Sequence, residues 1–468
     1  MRSALAQSLV DALSNSQFEN TADAGGRPQG PAVLSTAHHV AAALAQRDLA
    51  PGEPVHLTVA GRLHDLGALL GIWLAGGCAV PIHAEASIST SDMLRKATAA
   101  RFSVDVDKLH MISGAAPPLR ELLSEAALII FTSGSTGRPK GVIVSDERLA
   151  AKLRVLARLV NLVHSDVVLV PLQLTFIFGI WVSLLGLMAG ARLVLEPKFS
   201  RDLIAQRLEE RASVLVAVPS MLRTLLSNPG LHAPALRMVL TGGEAFAAGL
   251  ARTVQEAFPR AAIYNLYGLT ETTSCDFCLA PSDQPDGWGT IGSPTEQVTF
   301  RILAPDGKPA APGTPGELQI HTPFMMLGYL DDPALTRSAF SEGFFRTGDL
   351  ARLRPDGRVE IVGRIKEIIS RGGNKIAPLE IENLFCEHPD VVSALCVGVP
   401  DERLGEAIHV VIVPKLGSAL SVETLRKWAS ARIERYKDPD AIHLSDELPV
   451  GSTGKTDRAA VARMLPHR

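Results

Sequence analysis

A chain of 468 residues exceeds what one hydrophobic core organises, so two or more domains with clefts are expected. Its 46% hydrophobic and 20% charged residues, with 39 Gly and 31 Pro, exclude a disordered or fibrous polymer and fit a loop-rich globular protein. A formal charge of −3 leaves no basic excess for nucleic acid or an anionic membrane, and five cysteines are too few and odd in number for a disulfide framework. A reducing, cytoplasmic setting without a nucleic-acid partner is expected.

The amino end, "MRSALAQSLVDALSNSQFEN", is interrupted by Gln7, Ser8 and Asp11, and reads as an amphipathic helix rather than a signal peptide or membrane span. From about 55 to 270, short apolar runs alternate with amphipathic stretches. "VHLTVA" precedes "LGALLGIWLAGG", "SVLVAV" precedes "PSMLRTLL", "LRMVL" precedes "TGGEAF", and "AAIYNLYG" precedes "LTETT". Such runs are buried strands of an α/β sheet, and open α/β sheets bind ligands at the strands' carboxyl ends. After 290, "RILAPDGKPAAPGTPGELQIH" and "LARLRPDGRVEIVGR" alternate around Asp-Gly turns, as hairpins do. The fold expected is α/β: a large amino-terminal domain, 1–365, of several subdomains with a small β region, and a small mobile α+β lid, 366–468, joined at "GRIK". Cys275 and Cys278 form a CxxC without a second Cys or His pair at metal spacing, so zinc is disfavoured.

The stretch "IIFTSGSTGRPKGVIVS" (129–145) gathers Thr132, Ser133, Gly134, Ser135, Thr136 and Gly137 before Lys140. Closely spaced backbone N–H groups and hydroxyls without bulky side chains suit a polyphosphate. One Lys140–phosphate contact would be worth about 4 kcal/mol before desolvation. The spacing is not that of a Walker loop. Taken alone, the stretch is also compatible with a plain Gly/Ser surface turn.

Its company decides between them. In order, "TSGSTGRPKG" (132–141), "GGE" (242–244), "NLYGLTET" (265–272), "RTGDL" (346–350), "GRIKEIISRGGNKIAPLEIE" (363–382) and "GSTGKTDR" (451–458) resemble the motif series of the adenylate-forming superfamily, which holds acyl- and aryl-CoA synthetases, peptide-synthetase adenylation domains and luciferases. The resemblance implies a two-step ligase using ATP, Mg²⁺ and CoA. A carboxylate attacks the α-phosphate to give an acyl-adenylate and pyrophosphate, and a thiol then takes the acyl group.

It also implies site residues. Thr132–Thr136, Gly137 and Lys140 resemble the β,γ-phosphate loop. Gly242, Gly243 and Glu244 resemble the segment flanking adenine, and Asn265, Tyr267 and Gly268 the adenine contacts. Thr270 is similar to the α-phosphate contact and Glu271 to the Mg²⁺ carboxylate. Asp349 and Arg364 resemble the ribose-binding pair, Lys366 the hinge, and Lys455 the lid lysine that stabilises transition-state charge. Arg371, Gly372 and Gly373 resemble the loop that faces a pantetheine arm after the lid rotates.

The acyl pocket is expected at Thr175, Phe176, Ile177, Gly179, Gly243, Leu269, Cys275 and Asp276. No carboxylate stands where amino-acid-activating relatives pair the substrate ammonium, so a fatty or aromatic acid fits better, with Asp276 facing either a substrate polar group or solvent. CoA is the favoured acceptor. Loading of a carrier-protein phosphopantetheine by a standalone adenylating enzyme, and a nucleotide-binding protein without catalysis, are the alternatives. Ser145 departs from the His or Thr of many relatives.

Overall fold

The structure, a computed structural model, describes residues 3–14, 29–105, 108–115, 117–132, 139–228, 230–415, 417–449 and 458–465. The apolar runs form strands at Pro54–Val59, Ala126–Thr132, Val214–Ala217, Met238–Gly242 and Ala262–Tyr267. They belong to two seven-stranded sheets. In the first, Pro54–Val59 pairs in parallel with Cys78–His83 and Phe102–Asp105, and Cys78–His83 with Ala126–Thr132, which turns back antiparallel onto Lys140–Ser145. In the second, Arg192–Leu195, Val167–Val170, Val214–Ala217, Met238–Gly242 and Ala262–Tyr267 run parallel in that spatial order.

Parallel strands need both faces covered, and their side chains alternate between faces. Val214, Val216, Met238 and Leu240 join a core shared with the first sheet and with helices Leu63–Leu74 and Ile177–Met188. Those helices are apolar nearly all round, and Trp73 and Trp181 are each 1% exposed. The alternate residues Leu215, Ala217 and Val239 face a second cluster under helices Arg201–Glu210, Pro219–Leu226 and Ala248–Ala257. The amino-terminal helix, Ala4–Leu13, buries Leu5, Leu9 and Leu13 at four-residue spacing in the shared core.

The expected hairpins are present: Thr299–Leu303 with Gly316–His321, and Phe344–Leu353 with Val359–Arg364, in one five-stranded sheet. A further five-stranded sheet, from Ile369–Arg371 to Ala441–Leu444, encloses its own core with helices Pro378–Cys386 and Val422–Ser430. Helix Pro378–Cys386 rests on Ala248–Ala257, where a Cβ on Gly249 would meet the Cys386 carbonyl at 2.6 Å. "LTETT" departs from the expected strand-to-helix pattern. It makes a 3₁₀ turn, Thr270–Thr272, and the chain returns as the antiparallel strand Phe277–Leu279 because Asp276 and Thr272 bond to each other across the turn.

Candidate active site

Ala60, Pro171, Val218, Gly243 and Gly268 each follow the carboxyl end of a strand from one of the two large sheets, His83 is the last residue of another, and all six line one cavity of about 700 Å³. Its apolar wall is Leu172, Phe176, Ile177, Trp181, Val218 and Met221. Phe178 also lines it and stacks on Trp181 at 5.3 Å between ring centroids. Arg62, Glu85 and Lys198 line it from exposed positions. Of the expected acyl-pocket residues, Phe176, Ile177, Gly243 and Cys275 line this cavity, and Gly268 and Thr270 join them from the nucleotide motif.

Thr175, Gly179, Leu269 and Asp276 are not in its lining. A Cβ on Gly179 would sit 2.6 Å from the Gln173 carbonyl, so that position packs on the preceding turn. Asp276 is 0% exposed, with Lys152 Nζ 3.6 Å from Oδ1, so it faces neither substrate nor solvent. Burial pushes its carboxyl above the usual range, and the Lys152 ammonium opposes that push. The sequence reading missed Lys152, although Leu149, Lys152, Leu153 and Leu156 share one face of helix Asp146–Val160. A lysine on an apolar stripe is a detectable signal.

Beside the cavity stands a polar cluster. Asp349 and Arg364 are paired positions on adjacent antiparallel strands, which sets Arg364 Nε 2.8 Å from Asp349 Oδ1. Tyr267 Oη donates to Asp349 Oδ2 at 2.6 Å. Asp349 is 2% exposed; burial raises its carboxyl pKa, while Arg364 and then Tyr267 counter the shift. The phenol of Tyr267 is pushed well up by burial and by that carboxylate. Each Asp349 oxygen keeps a lone-pair direction beyond these bonds, the arrangement needed to accept from two vicinal hydroxyls. Asn265 Nδ2 donates to the Thr290 carbonyl at 2.9 Å, and a Cβ on Gly242 would lie 2.2 Å from the Leu266 carbonyl, so this wall is flat backbone. The Glu244 carboxylate accepts from the Ser220 amide at 2.8 Å at the start of helix Pro219–Leu226.

Thr132 and Lys140 face each other in the register of strands Ala126–Thr132 and Lys140–Ser145. Ser133, Gly134, Ser135, Thr136, Gly137 and Lys455 lie outside the described residues. The Lys140 ammonium stands 5.3 Å from the ring centroid of Tyr329, whose hydroxyl donates to Glu271 Oε1 at 2.9 Å. Tyr329 thus joins Lys140 to Glu271, a link that no local spacing announced. Lys366 lies in the 3₁₀ turn Ile365–Glu367, directly after Arg364. Arg371 is spent on Asp440, at 2.6 and 2.9 Å, and Gly372 and Gly373 form an exposed turn that does not line the cavity.

Residues 88–330 match the family model for AMP-binding enzyme, and 380–455 match that for AMP-binding enzyme C-terminal domain. The chain is 32% identical to an oxalate–CoA ligase of Arabidopsis thaliana, over 72% of this chain and 67% of that one. It is 34% identical to an indoleacetate–CoA ligase of Aromatoleum aromaticum, over 73% and 68%. The ATP-bound structure of MatB from Rhodopseudomonas palustris superposes with a TM-score of 0.87 at 25% identity, over 99% of each chain. Among the described residues, no helix is long and apolar enough to cross a membrane.

Proposed function

The chain belongs to the AMP-binding enzyme family, and on that premise we propose that it is an ATP-dependent carboxylate–CoA ligase, forming an acyl-adenylate with release of pyrophosphate and then a thioester in the cytoplasm. One observation carries the reading: Gly268, the residue after Tyr267 of the Tyr267–Asp349–Arg364 cluster, lines the apolar cavity together with Thr270. A nucleotide held by its ribose at Asp349 and by its phosphates near Lys140 would present its α-phosphate to an acid in the cavity. Thr270 stands at that junction as the α-phosphate contact, and confining both reactants there lowers the entropic barrier to attack.

The residues fit a magnesium ion. Among the described residues no cluster of three or more His, Cys, Asp or Glu could hold a metal, but Glu271 is oriented by Tyr329 and offers one carboxylate, the rest of the shell being phosphate and water oxygens. When bound, the ion would neutralise charge on the phosphates. Residues 1–365 are proposed as the nucleotide- and acid-binding domain and 366–468 as the lid, with Lys366 at the hinge. Rotation there would exchange Lys455 for the Gly372–Gly373 turn at the cleft. Arg458 supports a coherent lid, since it joins Glu367, beside the hinge, at 3.2 Å and also bonds Glu382.

The acid proposed is bulky and apolar, aromatic in particular, because Phe176, Phe178 and Trp181 dominate a cavity whose volume suits a small organic molecule. Acid-dependent pyrophosphate release across aliphatic, aromatic and hydroxy acids, with and without CoA, tests the reading. Thioester appearing on CoA supports it. Acylation of a phosphopantetheinylated carrier while CoA is ignored would replace the acceptor, and no acid-dependent pyrophosphate would overturn the ligase.

A further inference from the structure

The segment from Tyr267 to Asp276 closes on itself: the Asp276 amide donates to the Tyr267 carbonyl at 2.7 Å, and the Ser274 amide to that of Leu269 at 2.8 Å. Within it, Thr273, Ser274 and Cys275 are consecutively left-handed, with φ of 60°, 72° and 54°. Non-glycine residues visit this region singly, not in series. Gly268 makes the return possible, since a Cβ there would lie 2.0 Å from the Cys275 nitrogen. Such a course persists only where its surroundings over-determine it.

Each of the three residues is tethered. Thr273 Oγ1 donates to the Phe324 carbonyl at 2.6 Å, Trp181 Nε1 donates to Ser274 Oγ at 3.2 Å, and Lys152 Nζ donates to the Cys275 carbonyl at 2.7 Å. Lys152 is 0% exposed and also stands 5.1 Å from the ring centroid of Phe324. The Asp276 carboxylate receives the Thr272 hydroxyl, the last residue of the turn that carries Thr270 and Glu271. One buried ammonium–carboxylate pair therefore holds the left-handed run at its end and the Thr270–Glu271 turn through Thr272. Ser274 and Cys275 line the acid cavity.

We infer that Lys152 and Asp276 are positioning residues, a buried clamp that keeps the wall of the acid cavity and the phosphate-facing turn in register. Buried ion pairs add little stability over a well-packed apolar replacement, whereas removing one partner leaves a stranded charge. The clamp's use is thus geometric. Its effect on catalysis rests on the ligase reading; its effect on geometry does not.

The test is the double variant Lys152→Met, Asp276→Asn, which removes both charges at similar volume. In protein labelled with 5-fluorotryptophan, the Trp181 fluorine resonance is expected to move or split while those of Trp73, Trp288 and Trp428 hold. In ATP–pyrophosphate exchange, kcat is expected to fall about tenfold or more and KM for the acid to rise, with KM for ATP within about twofold. Adding Cys275→Gly, which relieves the left-handed strain, is expected to recover part of the loss, which a merely stabilising pair would not show. If the double variant does not fold, Lys152→Gln with Asp276→Asn, which keeps a donor for the Cys275 carbonyl while removing both charges, is measured with the same readouts. A folded variant with all four resonances, kcat and acid KM unchanged would overturn the inference. An unmodified enzyme without acid-dependent exchange would instead sink the ligase reading, and the Trp181 resonance would still decide the clamp.

Discussion

Asp349→Asn tests the nucleotide site with little disturbance of shape. The Arg364 guanidinium can only donate, so the new amide must turn its oxygen toward Arg364 and its nitrogen toward Tyr267, whose hydroxyl can accept. A ribose hydroxyl that would bond the former Oδ2 then loses its acceptor, and its neighbour meets a neutral oxygen in place of a charged one. Hydrogen bonds to charged groups are worth about 1.5–3 kcal/mol each and neutral ones about 1, so the combined deficit is about 3 kcal/mol, or roughly a hundredfold in affinity. Arg364 is exposed and stays hydrated, so no stranded buried charge adds a folding penalty. The assay is ATP–pyrophosphate exchange at saturating acid and magnesium, with a thermal melt as control. KM for ATP should rise roughly a hundredfold with KM for the acid little changed. A variant with the parent's KM for ATP would refute the assignment of Asp349 to ribose.

Tyr329→Phe keeps the ring near Lys140 but removes the donor to Glu271. The exchange rate should fall about tenfold and need more magnesium, a cost of about 1.5 kcal/mol, and an unchanged magnesium dependence would contradict the role given to Glu271. His56 is 3% exposed, and burial foremost, with Arg95 second, lowers its pKa from 6.5 to about 4. Between those values the unfolded chain binds a proton that the native one refuses. Its stability contribution is therefore full above pH 6.5 and declines by about 3 kcal/mol as pH falls to 4. His56→Gln should flatten the urea-denaturation profile in that window, and an equally steep profile would show that other groups govern it. Lys455→Ala should cut adenylate formation at least about a hundredfold while sparing thioester formation from supplied acyl-adenylate. Equal loss in both half-reactions would contradict a lid with two working orientations.

Much of the fold was legible because buried parallel strands are short apolar runs: Met238–Gly242 and Val214–Ala217 have no other reading once glycine or proline stops them. The hairpins around Asp306-Gly307 and Asp356-Gly357 were equally plain, since turn chemistry is local. What escaped was long-range polar pairing. Asp276 looked available to a substrate because its partner Lys152 lies on a helix 124 positions away, and Tyr329 reaches Glu271 across 58. Glu244 sits in a motif associated with adenine, yet its carboxylate bonds Ser220, which no spacing between them encodes. Met221 also lines the cavity, and nothing set it apart in sequence from the apolar residues that helix Pro219–Leu226 buries.

The central claim is that one hollow activates a carboxylic acid with ATP. Exchange of labelled pyrophosphate into ATP, surveyed over aromatic, aliphatic and hydroxy acids without CoA, tests it most directly. Exchange that depends on an added bulky apolar acid, and disappears in Asp349→Asn at ordinary ATP concentrations, is the predicted result. Pyrophosphate exchange that no acid stimulates, from folded protein that binds ATP, would contradict it.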